Sequence, residues 1–134
     1  METRATGLLL CDDLIFTSRI TGTARALGYL FKAARSPDAL RELLVQELPS
    51  CIVVDLANPG LVIANLIGAL QENGGPRPKV IAYGSHVDTA TLKRAREAGC
   101  DKVLTRSQFV EELPKQLHDW MNSAPTAESA QSDS

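Results

Sequence analysis

The feature that most constrains the fold of this chain is the alternation of five short apolar runs with five longer amphipathic segments. Two of the runs, 51–54 and 80–83, are apolar at every position and do not alternate with polar residues. Continuous apolar strands are typical of the centre of a parallel sheet, where helices cover both faces. Five β–α units in succession therefore predict an α/β fold of the doubly wound class, with a five-stranded parallel sheet and five helices.

Capping and stop signals indicate where these units begin and end. Ser36-Pro37-Asp38 provides a helix cap and a first-turn proline for the second helix, and Asp88 and Gly99 delimit the fourth. Pro114 conflicts with a regular fifth helix, because an interior proline costs about 3 kcal/mol. We therefore expect a short turn over 107–112 before the last helix becomes regular. The predicted strands are 7–11, 29–33, 51–54, 80–83 and 102–104.

Composition is that of a single globular domain. The 134 residues are 44% hydrophobic and 22% charged, which is enough for one hydrophobic core. The net charge of −2 argues against a sequence-independent grip on nucleic acid or anionic lipid. The start of the chain resembles neither a signal peptide nor a membrane span. Cys11, Cys51 and Cys100 have no metal-ligand spacing and no flanking basic groups, so we interpret them as reduced thiols and expect a cytoplasmic protein.

The domain organisation follows from the position of the last apolar residues. We expect a folded domain over residues 1–121 and a disordered tail over residues 122–134. Residues 123–134 include no large apolar side chain, so their burial could not offset the entropy lost on ordering. No DNA-binding or catalytic domain is expected after this tail.

Carboxylates follow two predicted strands at the point where each strand ends. Asp12 and Asp13 follow the first strand, and Asp55 follows the third. With strand order 2-1-3-4-5, the ligand crevice of a doubly wound sheet lies between strands one and three. Three like charges repel in such a crevice, and Mg²⁺, which prefers oxygen ligands, relieves the repulsion. The three carboxylates together therefore predict a metal site, although helix capping explains Asp12 or Asp13 alone at least as well.

The same residues resemble the receiver domain of two-component response regulators. Residues 9–13 (LLCDD) are similar to the first strand and acidic pair of a receiver. Residues 52–60 (IVVDLANPG) are similar to the phosphoacceptor strand and its D-x-x-x-P-G loop, and residues 97–101 (EAGCD) to the segment before the fifth strand. The resemblance covers about residues 6–121. It implies the flavodoxin-like receiver fold, with strand order 2-1-3-4-5.

The resemblance also implies a site and a role. Asp55 would accept a phosphoryl group from a histidine kinase, and Asp12, Asp13 and Asp55 would hold Mg²⁺ together with the backbone carbonyl of Ala57. The metal neutralises charge on the transferring group, so that the protein mainly has to position it. The chain would then be a phosphorylated signalling protein and not an enzyme. Its kinase, its downstream partner, the process it controls and its oligomeric state are not encoded in any motif.

Three positions depart from the receiver pattern. Gly84 follows the predicted fourth strand, at the position where a receiver has Thr or Ser, and Ser85 comes one residue later. Arg106 replaces the lysine after the fifth strand, and arginine keeps the positive charge with a different reach and geometry. Val103 stands at the position of the aromatic switch residue. We expect Ser85 and Arg106 to contact the phosphoryl group. His86 either lines the opening of the same phosphoryl site or is an exposed loop residue.

Partner binding is expected on the face of the fourth helix, fifth strand and fifth helix, as the resemblance implies. For the basic residues Lys93, Arg94 and Arg96, a solvated helix face is the favoured explanation. Exposure of Phe109, Val110 or Trp120 would favour docking of a histidine kinase or another signalling protein, and burial of all three would favour plain packing.

Three function classes stay open on the sequence alone. The first is a phosphorylatable single-domain receiver. The second is a phosphorylation-independent, receiver-like interaction module, favoured by Gly84, Arg106 and Val103. The third is a small enzyme on a similar sheet, for which the sequence contains neither a Gly-rich phosphate loop nor a Gly-x-Ser-x-Gly elbow.

Overall fold

The computed structural model describes residues 6–72 and 77–122 and contains the five predicted β–α units. Every predicted strand is found within one residue at each end. The elements are β1 Thr6–Leu10, α1 Leu14–Ala26, β2 Leu30–Ala34, α2 Pro37–Gln46, β3 Cys51–Asp55, α3 Ile63–Gln71, β4 Lys79–Gly84, α4 Thr89–Ala98, β5 Lys102–Thr105 and α5 Arg106–Asn122.

The five strands form one parallel sheet in the order β2-β1-β3-β4-β5, which confirms the predicted topology. The register pairs Leu10 of β1 with Val54 of β3, and Asp55 of β3 with Tyr83 of β4. The carboxyl ends of β1, β3 and β4 therefore lie side by side. This edge of the sheet is where the sequence places its candidate site.

Side chains of the central strands are buried on both faces of the sheet, as the continuous apolar runs predict. All five residues of β3 are buried. Leu9, Val53 and Ile81 face one core, which α1 and α5 cover. Leu8, Ile52 and Val80 face the other core, which includes buried residues of α2 and α3. The two helical layers thus hold the strand ends rigidly in register.

An aromatic stack lies in the core between the sheet and α5. The ring centroids of Tyr83 and Phe109 are 4.8 Å apart, and those of Phe109 and Trp120 are 5.9 Å apart. Phe16 of α1 adds a tilted contact to Tyr83 at 5.2 Å. Offset and tilted ring pairs contribute about 0.5–1.5 kcal/mol beyond the area that they bury. The stack therefore forms a stiff floor beneath the carboxyl ends of β3 and β4.

The capping signals read from the sequence are confirmed at α2 and α4. The Ser36 hydroxyl accepts a hydrogen bond from the Ala39 amide at 3.1 Å, and the Asp88 carboxylate accepts one from the Thr91 amide at 3.2 Å. Gly99 ends α4 with φ of 108°, a left-handed conformation that glycine adopts without a Cβ clash.

The expected turn over 107–112 is wrong, because α5 is continuous from Arg106 to Asn122 with Pro114 inside it. The helix starts early because Thr105 and Gln108 form a reciprocal cap. The Gln108 amide donates to the Thr105 hydroxyl at 3.2 Å, and the Thr105 amide donates to the Gln108 side chain at 3.0 Å. Burial of the apolar face that includes Phe109 and Leu113 then outweighs the local penalty of the proline.

The boundary of the predicted tail also moves. Asn122, which was expected in the tail, is the last residue of α5, and its side-chain amide donates to the His118 carbonyl at 2.7 Å. The rest of the predicted tail, 123–134, lies outside the described residues, as do 1–5 of the predicted domain.

The three cysteines are free thiols in this structure. Burial raises the pKa of Cys51 to about 12 and that of Cys100 to about 11. Both groups therefore stay protonated near neutral pH and are poor nucleophiles. Within the described ranges, none of the helices has the length and apolar character needed to cross a membrane.

Candidate functional site

Asp55 ends the central strand β3 at the edge of the sheet where β1 and β3 meet. Its side chain is only 5% exposed. One carboxylate oxygen, Oδ1, accepts a hydrogen bond from the Ala57 amide at 2.9 Å, so the turn after β3 fixes the orientation of the carboxylate. A charged hydrogen bond of this kind holds the group in one rotamer. The structure thus places Asp55 at the crevice that strand order 2-1-3-4-5 defines.

The second oxygen of Asp55 contacts a side chain that the sequence-based interpretation treats only as a reduced thiol. Cys11 Sγ lies 3.7 Å from Asp55 Oδ2, within hydrogen-bond distance for sulfur. The Tyr83 hydroxyl in turn donates to Cys11 Sγ at 3.3 Å. Cys11 and Tyr83 are both 0% exposed. A buried chain of hydrogen-bonding groups therefore runs from Tyr83 through Cys11 to the carboxylate.

This chain could have been found from strand register. The register pairs Asp55 with Tyr83 and pairs Leu10 with Val54, so that Cys11, the next residue after Leu10, comes opposite Asp55. Paired residues of neighbouring parallel strands project from the same face of the sheet. The signal in the sequence was the cysteine placed directly before Asp12-Asp13, at the end of a strand next to the acceptor strand.

The pKa of Tyr83 depends on burial and on the charges of the site. Burial raises the pKa of Tyr83 far above its usual range, and its hydrogen bond to Cys11 and the nearby Asp55 charge raise it further. Arg106 acts in the opposite direction on the same group. The phenol is therefore protonated at neutral pH and is a hydrogen-bond donor. It lies within the fields of both Asp55 and Arg106.

The two carboxylates after β1 have separate local roles in this structure. Asp13 Oδ1 accepts hydrogen bonds from the Ile15 amide at 3.0 Å and the Phe16 amide at 3.1 Å, which caps α1. Asp12 pairs with Arg35, with Nε 3.3 Å from Oδ1. Both side chains of that pair are at least half exposed, so the pair contributes little stability.

Arg35 is itself tied to the loop after β3. The buried Asn58 side-chain amide donates to the Arg35 carbonyl at 3.1 Å. Asn58 therefore links the end of β2 to the loop that follows Asp55. The other side-chain atom of Asn58, Oδ1, is buried and has no hydrogen-bond partner among the residues described.

The structure does not assemble the predicted metal ligands into one group. Over 6–72 and 77–122, no three His, Cys, Asp or Glu side chains form a cluster that could hold a metal ion. Asp13 caps a helix, Asp12 faces Arg35, and Asp55 is held by Ala57 and Cys11. The prediction that Asp12, Asp13, Asp55 and the Ala57 carbonyl bind Mg²⁺ is therefore not supported by the arrangement seen here, and it stays a prediction.

Gly84 lies where a receiver has a hydroxyl side chain, and two leucines close that position. A Cβ built on Gly84 would lie 3.3 Å from Leu92 Cδ2 and 3.4 Å from Leu56 Cδ1. Ser85, the next residue, is exposed, and its hydroxyl accepts a hydrogen bond from the Val87 amide at 3.3 Å. The serine thus turns into the loop before α4.

Ser85 and Arg106 both line an open cavity of about 450 Å³ between α1, the loop after β4 and the start of α5. We call it the β5–α5 cavity. The Arg106 guanidinium lies 5.5 Å from the centre of the Phe16 ring, a cation–π contact that holds the side chain over α1. The polar lining residues are Arg19, Ser85, His86, Thr105, Arg106 and Ser107. His86, for which two interpretations were open, belongs to this lining and is exposed.

The aromatic residues proposed for docking mostly belong to the core. Phe109 is 0% exposed and Trp120 is 3% exposed, whereas Val110 is partly buried. Their burial favours packing as the role of the two aromatic residues. The basic side chains of Lys93, Arg94 and Arg96 on α4 are exposed. The face formed by α4, β5 and α5 therefore keeps its basic character but offers no aromatic anchor at Phe109 or Trp120.

Comparison with solved structures identifies the same architecture in other proteins. No family model matches this sequence, and no curated protein matches it. A response-regulator signal receiver domain from Bermanella marisrubri superposes with a TM-score of 0.77 at 23% identity, covering 90% of this chain and 100% of that one. A response regulator from Thermotoga maritima gives a TM-score of 0.74 at 17% identity, covering 90% of this chain and 100% of that one.

A response regulator protein from Burkholderia pseudomallei is a third similar structure. Its TM-score is 0.71 at 21% identity, with 96% of this chain and 72% of that chain covered. That structure contains a phosphorylated aspartic acid, a calcium ion and citrate. The chain therefore has the fold of response-regulator receiver domains.

Proposed function

We propose that this chain is a receiver-type signalling domain in which Asp55 accepts a phosphoryl group from a histidine kinase of a two-component system. The observation that carries the proposal is the position of Asp55. It ends the central strand in the crevice between β1 and β3, with its carboxylate oriented by the Ala57 amide. In the transfer, an Asp55 oxygen forms a bond to phosphorus while the bond from phosphorus to the donor nitrogen breaks.

Two groups that follow β4 and β5, at the same carboxyl edge of the sheet, supply the remaining contacts in this proposal. Ser85 and Arg106 line one cavity, and both Asp55 and Arg106 act electrostatically on Tyr83. Arginine can bind phosphate oxygens through two parallel N–H groups, which a lysine cannot do. We assign Arg106 to charge neutralisation and Ser85 to hydrogen bonding of the phosphoryl group.

The proposal includes Mg²⁺ only because of the chemistry of the candidate ligands. Asp12, Asp13 and Asp55 are carboxylates at neighbouring strand ends, a donor set that Mg²⁺ prefers. Binding would require Asp12 to exchange Arg35 for the cation, and the exposed Arg35–Asp12 pair is weak enough to allow that exchange. When bound, the metal would neutralise charge on the phosphoryl group.

The partner surface is a second part of the proposal. We assign kinase or target docking to α4, β5 and α5, where Lys93, Arg94 and Arg96 are exposed. A cytoplasmic location, a folded domain that ends at Asn122 instead of at residue 121 and a disordered tail after it complete the picture as predictions.

An alternative function has its own structural support. The Asp55 carboxylate is nearly buried, its Oδ2 is engaged by Cys11, and leucines close the position of Gly84. These features favour a phosphorylation-independent interaction module, in which the same surface binds a partner without a change at Asp55.

Intact mass spectrometry after incubation with a small acyl phosphate and Mg²⁺ separates the two functions. The phosphorylatable receiver predicts a base-labile, Mg²⁺-dependent adduct on the wild type that is absent from Asp55→Asn. Asp38→Asn, which removes an exposed carboxylate on α2, is the matched control and should retain the adduct. Absence of an adduct, together with no Mg²⁺ binding by calorimetry, would contradict phosphoryl acceptance and favour the interaction module.

A further inference from the structure

The β5–α5 cavity has an unusual charge for a protein whose net charge is −2. Two arginines, Arg19 from α1 and Arg106 from α5, line it together with His86. No acidic side chain lines it within the part of the chain that the structure describes. Opposing walls therefore bring two positive charges to one concave surface, where field lines converge and a small anion is attracted.

Neither arginine is neutralised by a carboxylate of the described residues. Among residues 6–72 and 77–122, Arg19 and Arg106 take part in no ion pair, whereas Arg35, Arg41 and Arg77 each pair with an aspartate. Arg106 is held in place by its stacking on Phe16, at 5.5 Å, instead of by a carboxylate. A cation that is positioned by an aromatic ring keeps its N–H donors free for a ligand.

Hydroxyl groups complete the lining. Ser85 comes from the loop after β4, and Thr105 and Ser107 come from the junction of β5 and α5. Hydroxyls and guanidinium groups are the donors that proteins use for phosphate oxygens. The volume of about 450 Å³ leaves room for a phosphate group with an organic substituent.

We propose that the β5–α5 cavity binds a small phosphate-bearing molecule non-covalently, through Arg19 and Arg106. This inference goes beyond phosphorylation of Asp55, because the ligand is free, and because Arg19 and His86 are not among the residues assigned to the acceptor site. A phosphate group could reach Arg106 from two sources, a free ligand or a phosphorylated Asp55. The experiment has to distinguish them.

Titration of the full chain with inorganic phosphate, followed by ¹H–¹⁵N NMR at constant ionic strength with chloride as the balancing anion, tests the proposal. Saturable shifts are expected at the amides of Arg19, His86 and Ser107. Arg19→Gln and Arg106→Gln should each weaken binding about threefold to fivefold, as expected for exposed charged contacts. The double variant should show no saturation.

Two further variants make the result decisive. Arg25→Gln removes the same charge from an exposed position of α1 outside the cavity lining and should bind phosphate as the wild type does. Asp55→Asn separates the sources, because saturable binding that persists in it comes from a free ligand. Absence of saturation in the wild type, equal weakening by Arg25→Gln, or loss of binding in Asp55→Asn would each overturn the proposal.

The outcome is independent of the mass-spectrometric test of Asp55. Phosphate binding without an adduct would support the cavity and reject phosphoryl acceptance. An adduct without saturable phosphate binding would support phosphoryl acceptance by Asp55 and reject ligand binding in the cavity.

Discussion

The two halves of the carboxyl edge of the sheet use their charges in different ways. In the β1–β3 half, each carboxylate is engaged by its own chain: Asp13 by the first turn of α1, Asp12 by Arg35, and Asp55 by Ala57. In the β4–β5 half, Arg19 and Arg106 have no ion-pair partner in the described residues. The carboxylates of the acidic half therefore have partners within the chain, whereas the two arginines have no ion-pair partner among the described residues.

Charge alone therefore does not identify a binding site at this edge of the sheet. Three aspartates at two strand ends predict a metal centre on electrostatic grounds. In this structure, however, two of them have local partners, because Asp13 caps α1 and Asp12 pairs with Arg35. The β4–β5 half has no comparable motif, but Arg106 there and Arg19 on α1 are the arginines of the cavity that lack an ion-pair partner among the residues described.

Arg77 gives the largest expected effect because it is a paired and nearly buried arginine. It contacts Asp101 at 2.9 Å, and its side chain is 10% exposed. Arg77→Gln leaves Asp101 in a poorly solvated place and should lower the free energy of unfolding by about 3–5 kcal/mol. Urea denaturation measures the change. Arg106→Gln is the matched control, expected within about 0.5 kcal/mol of wild type, and equal losses for the two would remove the distinction between paired and free arginines.

Asp13 should contribute through its helix cap. Asp13→Ala removes the acceptor for two amides of α1 and should destabilise the protein by about 1 kcal/mol. Asp13→Asn keeps a capping oxygen and should retain most of the stability while it removes the charge that a metal would need. Thermal or urea unfolding checks both variants. A large loss in Asp13→Asn would show that the charge, and not the cap, is what matters.

Tyr83 should contribute through its hydroxyl. Tyr83→Phe keeps the ring in the aromatic stack and removes the donor to Cys11, with an expected loss of about 0.5–1 kcal/mol. A double-mutant cycle with Cys11→Ala measures whether the two side chains act together. Strict additivity of the two changes would show that the hydrogen-bonded chain to Asp55 has no energetic meaning.

Asp12 should contribute least to stability. Its pair with Arg35 is exposed, so Asp12→Asn is expected to change the free energy of unfolding by less than about 0.5 kcal/mol. The informative measurement for this variant is its Mg²⁺ affinity, determined by calorimetric titration. If the metal proposal is right, Asp12→Asn weakens Mg²⁺ binding while stability stays constant, and unchanged binding would remove Asp12 from the ligand set.

The fold was predictable from sequence because its signals are local or periodic. Apolar runs located every strand, and Ser36, Asp88 and Gly99 located helix ends. The site was less predictable because it depends on pairing between distant segments. Cys11 could be placed beside Asp55 only once the register of β1 and β3 was known. Pro114 misled the prediction of α5, because burial of one helix face outweighed a local backbone penalty.

The proline inside α5 has a consequence for how the two ends of that helix move. Because Pro114 has no N–H, it cannot donate to the carbonyl of Val110, four residues earlier, and the helix can bend there without breaking a backbone hydrogen bond. Val110 belongs to the lining of the β5–α5 cavity, whereas Trp120 lies beyond the proline in the aromatic core. Phe109 before the proline and Trp120 after it are stacked in the same core, so side-chain packing keeps the two parts of α5 aligned although the backbone can bend at Pro114.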